Sequence, residues 1–158
     1  MTQGYLSKMK VGPRLMRFLF RFWPPFRGMG IRVREIAPDF RKVVVELRQH
    51  MLNRNFVGTH FGGSMFAMAD PFYMIMMMQA LGREYVVWDK AGAIRFLKPG
   101  RGTLTARFEV TQAMVEEAMQ RTAASDKFEP TYSVDVVNAQ GETVAYVEKT
   151  LHIRRKKN

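Results

Sequence analysis

"GGSMFAMADPFYMIMMMQAL", Gly62 to Leu81, decides how the chain is read. A glycine pair opens twenty residues rich in methionine, phenylalanine and alanine that carry one carboxylate, Asp70, directly before Pro71. The pattern predicts a long helix, apolar nearly all round and therefore buried. Leu81–Gly82 supplies a C-terminal stop. Pro71 lacks a backbone N–H, so a kink is expected between Ala67 and Pro71.

The segments on either side read as strands. "GIRVREI" and "RKVVVEL" flank the turn "APDF", with Val43, Val45 and Leu47 pointing inward. Downstream, "EYVVWDKAGAIRFL" is one long strand, and in it Asp89 and Lys90 face opposite sides. "KPGRG" has Pro99 and Gly100 in the order of a type II turn. "TLTARFEV" places Leu104, Ala106, Phe108 and Val110 on one face. "QAMVEEAMQRTAAS" is an amphipathic helix, and "TYSVDVV", "NAQG" and "TVAYVEKTLHI" complete the sheet. The order is helix, two strands, long buried helix, four strands. An antiparallel sheet wrapped around the long helix is the economical packing, an α+β hotdog layout.

The chain of 158 residues reads as one domain: an N-terminal helical extension over 1–28, a core over 29–154 and a solvated basic tail over 155–158. There is no cysteine, which excludes disulfides, zinc–thiolate sites and a cysteine nucleophile. His50, His60 and His152 lack metal-ligand spacing, and we expect neither metal nor cofactor. The net charge of +11 favours anionic partners. No helix-turn-helix, zinc-finger or RNP-like pattern accompanies it, which argues against nucleic acid.

"PRLMRFLFRFW" predicts a helix begun by Pro13 and stopped by Pro24–Pro25. Lys10, Arg14, Arg17 and Arg21 share one face, and Leu15, Phe18, Leu19, Phe22 and Trp23 fill the rest. Docking on the domain or on a second subunit is the preferred reading, and an interfacial membrane helix is the alternative. No apolar run reaches the roughly 20 residues of a spanning helix. Arginines interrupt the N-terminal apolar stretch, unlike a signal peptide. The expected location is cytoplasmic.

"NFVGTHFGGSMFAMAD" resembles the active-site segment of hotdog thioesterases of the phenylacetyl-CoA type. Their pattern is an asparagine, a glycine, His-Gly-Gly, six residues and an aspartate. Asn55, Gly58, Gly62, Gly63 and Asp70 match it, and the motif histidine is Phe61, with His60 one position earlier. "IRFLKPGRGTLTA" resembles the same family's long strand, turn and strand. The resemblance spans Gly30 to Ile153 and leaves the N-terminal helix outside.

It implies cleavage of an acyl-CoA thioester to free acid and coenzyme A. It also implies a homodimer or dimer of dimers in which the oxyanion donors and the acid come from different subunits. The implied catalytic set is Asp70, Gly62, Gly63 and Asn55. The implied substrate contacts are His60, Phe61 and Ser64, with Arg95, Lys98 and Arg101 suited to the phosphates of coenzyme A. The chemistry fits: a carboxylate activates water or attacks, and backbone N–H groups at a helix start hold the developing oxyanion. Counted as one helix, Gly63, Ala67, Asp70 and Met74 share a face.

Other readings stand beside this one. Asp70 is also placed to cap a helix begun at Pro71, or to pair with an arginine such as Arg95. His60 also suits a loop histidine bound to backbone, the methionines suit core filler, and the basic residues a solvated turn. A non-catalytic acyl-CoA or fatty-acyl binding protein on the same scaffold is the rival function.

Overall fold

Six antiparallel strands form one sheet in the order β1-β2-β4-β5-β6-β3 in a computed structural model that describes residues 11–156. The strands are β1 (Ile31–Ile36), β2 (Lys42–Arg48), β3 (Tyr85–Phe96), β4 (Thr103–Glu109), β5 (Thr131–Val137) and β6 (Thr143–Arg155). The helices are α1 (Pro13–Phe22), α2 (Pro24–Met29), α3 (Gly62–Ala67), α4 (Phe72–Leu81) and α5 (Gln112–Ala124).

Alternation sets the inner face. Val43, Val45 and Leu47 on β2 and Leu104, Ala106 and Phe108 on β4 are all buried, as period-two reading requires. On this face lies α4, with Phe72, Tyr73, Met76, Met77 and Leu81 buried. Phe72 and Tyr73 both pack on the Phe108 ring, at centroid distances of 5.1 and 5.3 Å. Tyr73 donates its hydroxyl to the Ser133 carbonyl at 2.5 Å, and burial pushes its phenol up to about 12. The inserted helix α5 starts at a Thr111 cap and packs against α4 and β6.

The helix expected over 62–81 is present and is divided where the kink was expected. α3 ends at Ala67, residues 68–71 turn, and α4 begins at Phe72. Pro71 accounts for this: it has no N–H to donate, and its ring disfavours the helical region at the residue before it. The kink is therefore a full break. Asp70 does not cap α4, because Pro71 holds the cap position and no side chain bonds the first turn.

"KPGRG" is not a hairpin turn. β3 lies at the sheet edge beside β6, so the segment crosses from the edge to the interior strand β4. The positive φ that a type II turn requires falls at Gly102, at 67°, and not at Gly100. The basic tail begins at a strand end. β6 continues through Arg155, which donates to Glu84 at 3.1 Å, while Lys157 and Asn158 lie outside the described residues.

The N-terminal helix is present, and its docking on this chain is partial. α1 has no buried residue. It lies against β1 and α2, with Arg17 donating to the Arg34 carbonyl at 3.1 Å and the half-buried Phe20 stacked on Phe26 at 5.1 Å and 5.7 Å from Phe72. Leu15, Phe18, Leu19, Phe22 and Trp23 stay exposed, so most of the apolar arc is not docked on this chain. Lys10 lies outside the described residues.

Candidate active site

The helix break presents Asp70. Its side chain is 53% exposed, and Oδ1 accepts a hydrogen bond from Lys149 Nζ at 2.7 Å. Oδ2 has no protein partner among the described residues. Arg95, the partner considered from sequence, stacks instead over Tyr146 at 4.8 Å, its cross-strand neighbour.

Lys149 is the residue that sequence reading missed. It is 2% exposed and sits on β6 in phase with Val147, Leu151 and Ile153, so its stem points into the core. The signal was present: a lysine at an inward position of an alternating strand needs a partner of opposite charge. It has two. Besides Asp70, its ammonium lies 3.2 Å from Asp89 Oδ1 on β3, close enough for charge pairing but not aligned as a hydrogen bond. The ammonium also lies 5.4 Å from the Phe66 ring centroid.

Asp89 reaches Lys149 because it stands opposite Leu151, which puts the two on the same face diagonally. A bulge at Lys90 follows, and Lys90 turns outward to Glu129 at 2.6 Å. Asp89 and Lys90 thus take separate partners, as their opposite faces require. Burial pushes the Asp89 carboxyl up, and the Lys149 charge pulls it partly back.

Beside Asp70 opens a cavity of about 320 Å³, lined by Trp23, Pro25 and Phe26 on one wall and Phe66, Ala67 and Asp70 on the other. Its volume falls at the lower end of small-molecule sites. Its walls are aromatic and aliphatic, with one carboxylate at the edge. The chain before β1 thus supplies half of it, although that segment lies outside the motif.

Ala67 and Asp70 share this cavity, but Gly62 and Gly63 do not line it. The break ends the helical count that would align Gly63 with Asp70. The Gly62 and Gly63 N–H groups lie in the first turn of α3 and have no acceptor among the described residues. Aromatic rings lie close to both: an added Cβ at Gly62 would come 2.7 Å from the Phe96 ring, and one at Gly63 would run into the Phe61 ring. Phe61 itself is half exposed, and Ser64 is buried.

The loop before α3 is tied by its own polar groups. Asn55 Oδ1 accepts from Val57 and Thr59 N–H, and its Nδ2 donates to Thr59 Oγ1 at 2.7 Å. His60 is buried, with Nε2 2.8 Å from the Gly102 carbonyl and its own N–H on the Gly100 carbonyl. Burial lowers the imidazole's proton affinity. Both side chains hold the loop, and His60 joins it to the crossover between β3 and β4.

Arg95, Lys98 and Arg101 take different partners. Lys98 pairs with Glu142 at 2.6 Å, and Arg101 donates to the Gly58 carbonyl at 3.2 Å. No set of three or more histidine, aspartate or glutamate side chains is arranged to hold a metal among the described residues.

A six-stranded antiparallel sheet on a central helix, opened by a glycine-led half-helix and an acid at its break, defines the hotdog class. Residues 12–153 match the model of a domain of unknown function, DUF4442, and the chain belongs to that family. Solved structures share the fold. A Pseudomonas aeruginosa protein of unknown function, PA5026, described as a probable thioesterase, is similar at 19% identity and TM-score 0.80, over 90% of this chain and 95% of that one. The Escherichia coli PaaI protein of the phenylacetic acid degradation operon is similar at 23% identity and TM-score 0.62, over 90% and 91%. Thioesterase HI1161 of Haemophilus influenzae is similar at 14% identity and TM-score 0.66, over 94% of each. No curated protein matches the chain.

Proposed function

We propose that the protein is an acyl-CoA thioesterase-like hydrolase of the cytoplasm that works as a homodimer or dimer of dimers. The observation that carries this is Asp70. It is a half-open carboxylate at a helix break, with one oxygen fixed by a buried lysine, beside an apolar cavity. Thioesterases among the proteins of the same fold support the reaction class.

In this reading the acyl chain enters the cavity and the thioester carbonyl lies at Asp70. Water attacks that carbonyl while the free Oδ2 takes its proton. The oxyanion rests on the N–H groups of Gly62 and Gly63 from the second subunit. Collapse breaks the carbon–sulfur bond, and the thiolate leaves with the proton held by Asp70. Free acid and coenzyme A are the products. Lys149 positions the carboxylate. Asn55 and His60 shape the glycine loop, Phe61 and Ser64 set its fit to substrate, and Arg95, Lys98 and Arg101 meet the coenzyme A phosphates.

Separate subunits account for two features: Gly63 does not line the Asp70 cavity, and Met51, Leu52, Phe56, Val57, Phe96 and Leu97 are all exposed. Exposed apolar side chains of this kind support an interface with a second copy. Thiol release from an acyl-CoA panel, measured for the wild type and Asp70→Asn, tests the reading. A non-catalytic acyl-CoA binding protein is the second reading. It is favoured by Phe61 standing where the motif has histidine, with its ring against Gly63. Saturable binding with no thiol release in the wild type establishes it instead.

A further inference from the structure

The first 34 residues contain eight basic residues and no acidic one: Lys8, Lys10, Arg14, Arg17, Arg21, Arg27, Arg32 and Arg34, with Glu35 the first carboxylate. These eight account for most of the net charge of +11. α1 carries three of them. Arg14 and Arg21 have no protein partner among the described residues, and Arg17 only donates to the Arg34 carbonyl at 3.1 Å.

Next to this basic edge lies the exposed apolar arc. Phe18 is 58% exposed, Phe22 52% and Leu15 48%, and the two phenylalanine rings touch each other at 5.0 Å. Trp23 closes the arc at its C-terminal end. The helix is fastened along its opposite side by Phe20, so this face is held outward by packing.

We infer that α1 lays this face into an anionic phospholipid surface. The charge decides among occupants. A second copy seated on the same face would bring Arg14, Arg17 and Arg21 against their own replicas, with no carboxylate from α1 or α2 to receive them. Nucleic acid would use the arginines but leave five large apolar side chains in water. A lipid surface satisfies both: the apolar residues enter the acyl boundary and the arginines meet headgroup phosphates.

Trp23 ties the surface to the site, because it belongs both to the exposed arc and to the wall of the cavity at Asp70. A protein docked this way has that cavity next to the bilayer, suited to acyl chains that partition into membranes. This last step rests on the proposed function; the docking itself does not.

Co-sedimentation of the full chain with vesicles tests the docking without any activity readout. Vesicles of phosphatidylcholine with about one third phosphatidylglycerol should bind the protein, and pure phosphatidylcholine should bind it far more weakly. Phe18→Gln/Phe22→Gln should lower binding at least about tenfold. Arg14→Gln/Arg21→Gln should lower it about thirtyfold, at roughly one headgroup-level interaction per arginine. Melting temperatures should hold in both variants, since neither pair is buried. Equal binding to neutral and anionic vesicles, wild-type binding by the variants, or no binding at all overturns the inference. So does loss of a dimer in light scattering of Phe18→Gln/Phe22→Gln, or duplex DNA displacing the protein from anionic vesicles. Loss of thiol release with intact vesicle binding would count against the hydrolase reading alone.

Discussion

Lys149 Nζ donates to Asp70 Oδ1 at 2.7 Å, joining a side chain that is 97% buried to one that is half open. The pair connects the inner face of β6 to the break between α3 and α4. It places a carboxylate at the protein's surface and anchors it from within.

Replacing Asp70 with asparagine keeps the size and the polar contact but removes the base. Thiol release from acyl-CoA should fall at least about a hundredfold in kcat, the low end of general-base contributions. Because Asp70 caps no helix, asparagine and alanine should lower activity alike, a comparison that excludes a capping role. Full turnover by Asp70→Asn would remove Asp70 from the mechanism.

Lys149→Met should destabilise the fold more at pH 8 than at pH 5. Burial already raises the Asp89 carboxyl, and Lys149 is the charge that opposes this. Without it the folded-state pKa rises further above the unfolded value. Stability is then full below the unfolded value and is lost as pH rises through the folded one. A loss on the order of 1–3 kcal/mol at pH 8 is expected, below the figure for a fully buried pair because Asp70 is half solvated. Urea melts at the two pH values decide it; equal losses would contradict the coupling.

His60 gives the opposite slope. Its pKa is lowered by burial, so the stability tied to it is complete above its ordinary value of 6.5 and is lost as pH falls toward the folded value. Melting temperature should drop between pH 7 and pH 5, and His60→Gln should flatten that drop. The lowered carboxylates Glu129 and Glu142 act only below their ordinary 4.5, outside this window. Asp89, being raised, gains stability on acidification, so the comparison with His60→Gln isolates the histidine.

Phe56→Asp should break the assembly. Phe56 is fully exposed in the single chain, so the fold loses nothing by the change. Light scattering should pass from a multiple of 18.3 kDa to the single-chain mass, with an unchanged circular dichroism spectrum and lost thiol release. A wild type that is itself monomeric at micromolar concentration would defeat the shared-site model.

Much of the fold could be read from local pattern. Val43, Val45 and Leu47, and Leu104, Ala106 and Phe108, alternate without exception, so strand faces and the apolar helix between them were legible. Pro71 announced a kink, but not that it would be a full break exposing Asp70. The connection over Lys98 to Gly102 was not legible. Pro-Gly reads the same in a hairpin as in a crossover, and only the long-range pairing of β3 with β6 separates them. Lys149 was hidden for a related reason: its inward phase is visible, but its partners lie on β3 and at the helix break. The placement of α1 depends on Phe20 meeting Phe26 and Phe72, contacts that its own periodicity does not single out.

The sheet order has a kinetic consequence. Among the described residues β3 pairs only with β6, and β6 also pairs with β5, so within them β6 alone ties β3 to the other four strands. On a growing chain β3 must wait for a strand that emerges roughly fifty residues later, while β1 and β2 zip locally at once. Through that interval the aspartate at the helix break has no lysine, and the aromatic helix α4 lacks part of its cover. Closure of the sheet and assembly of the Lys149 anchor are therefore one event, and it comes with the final strand.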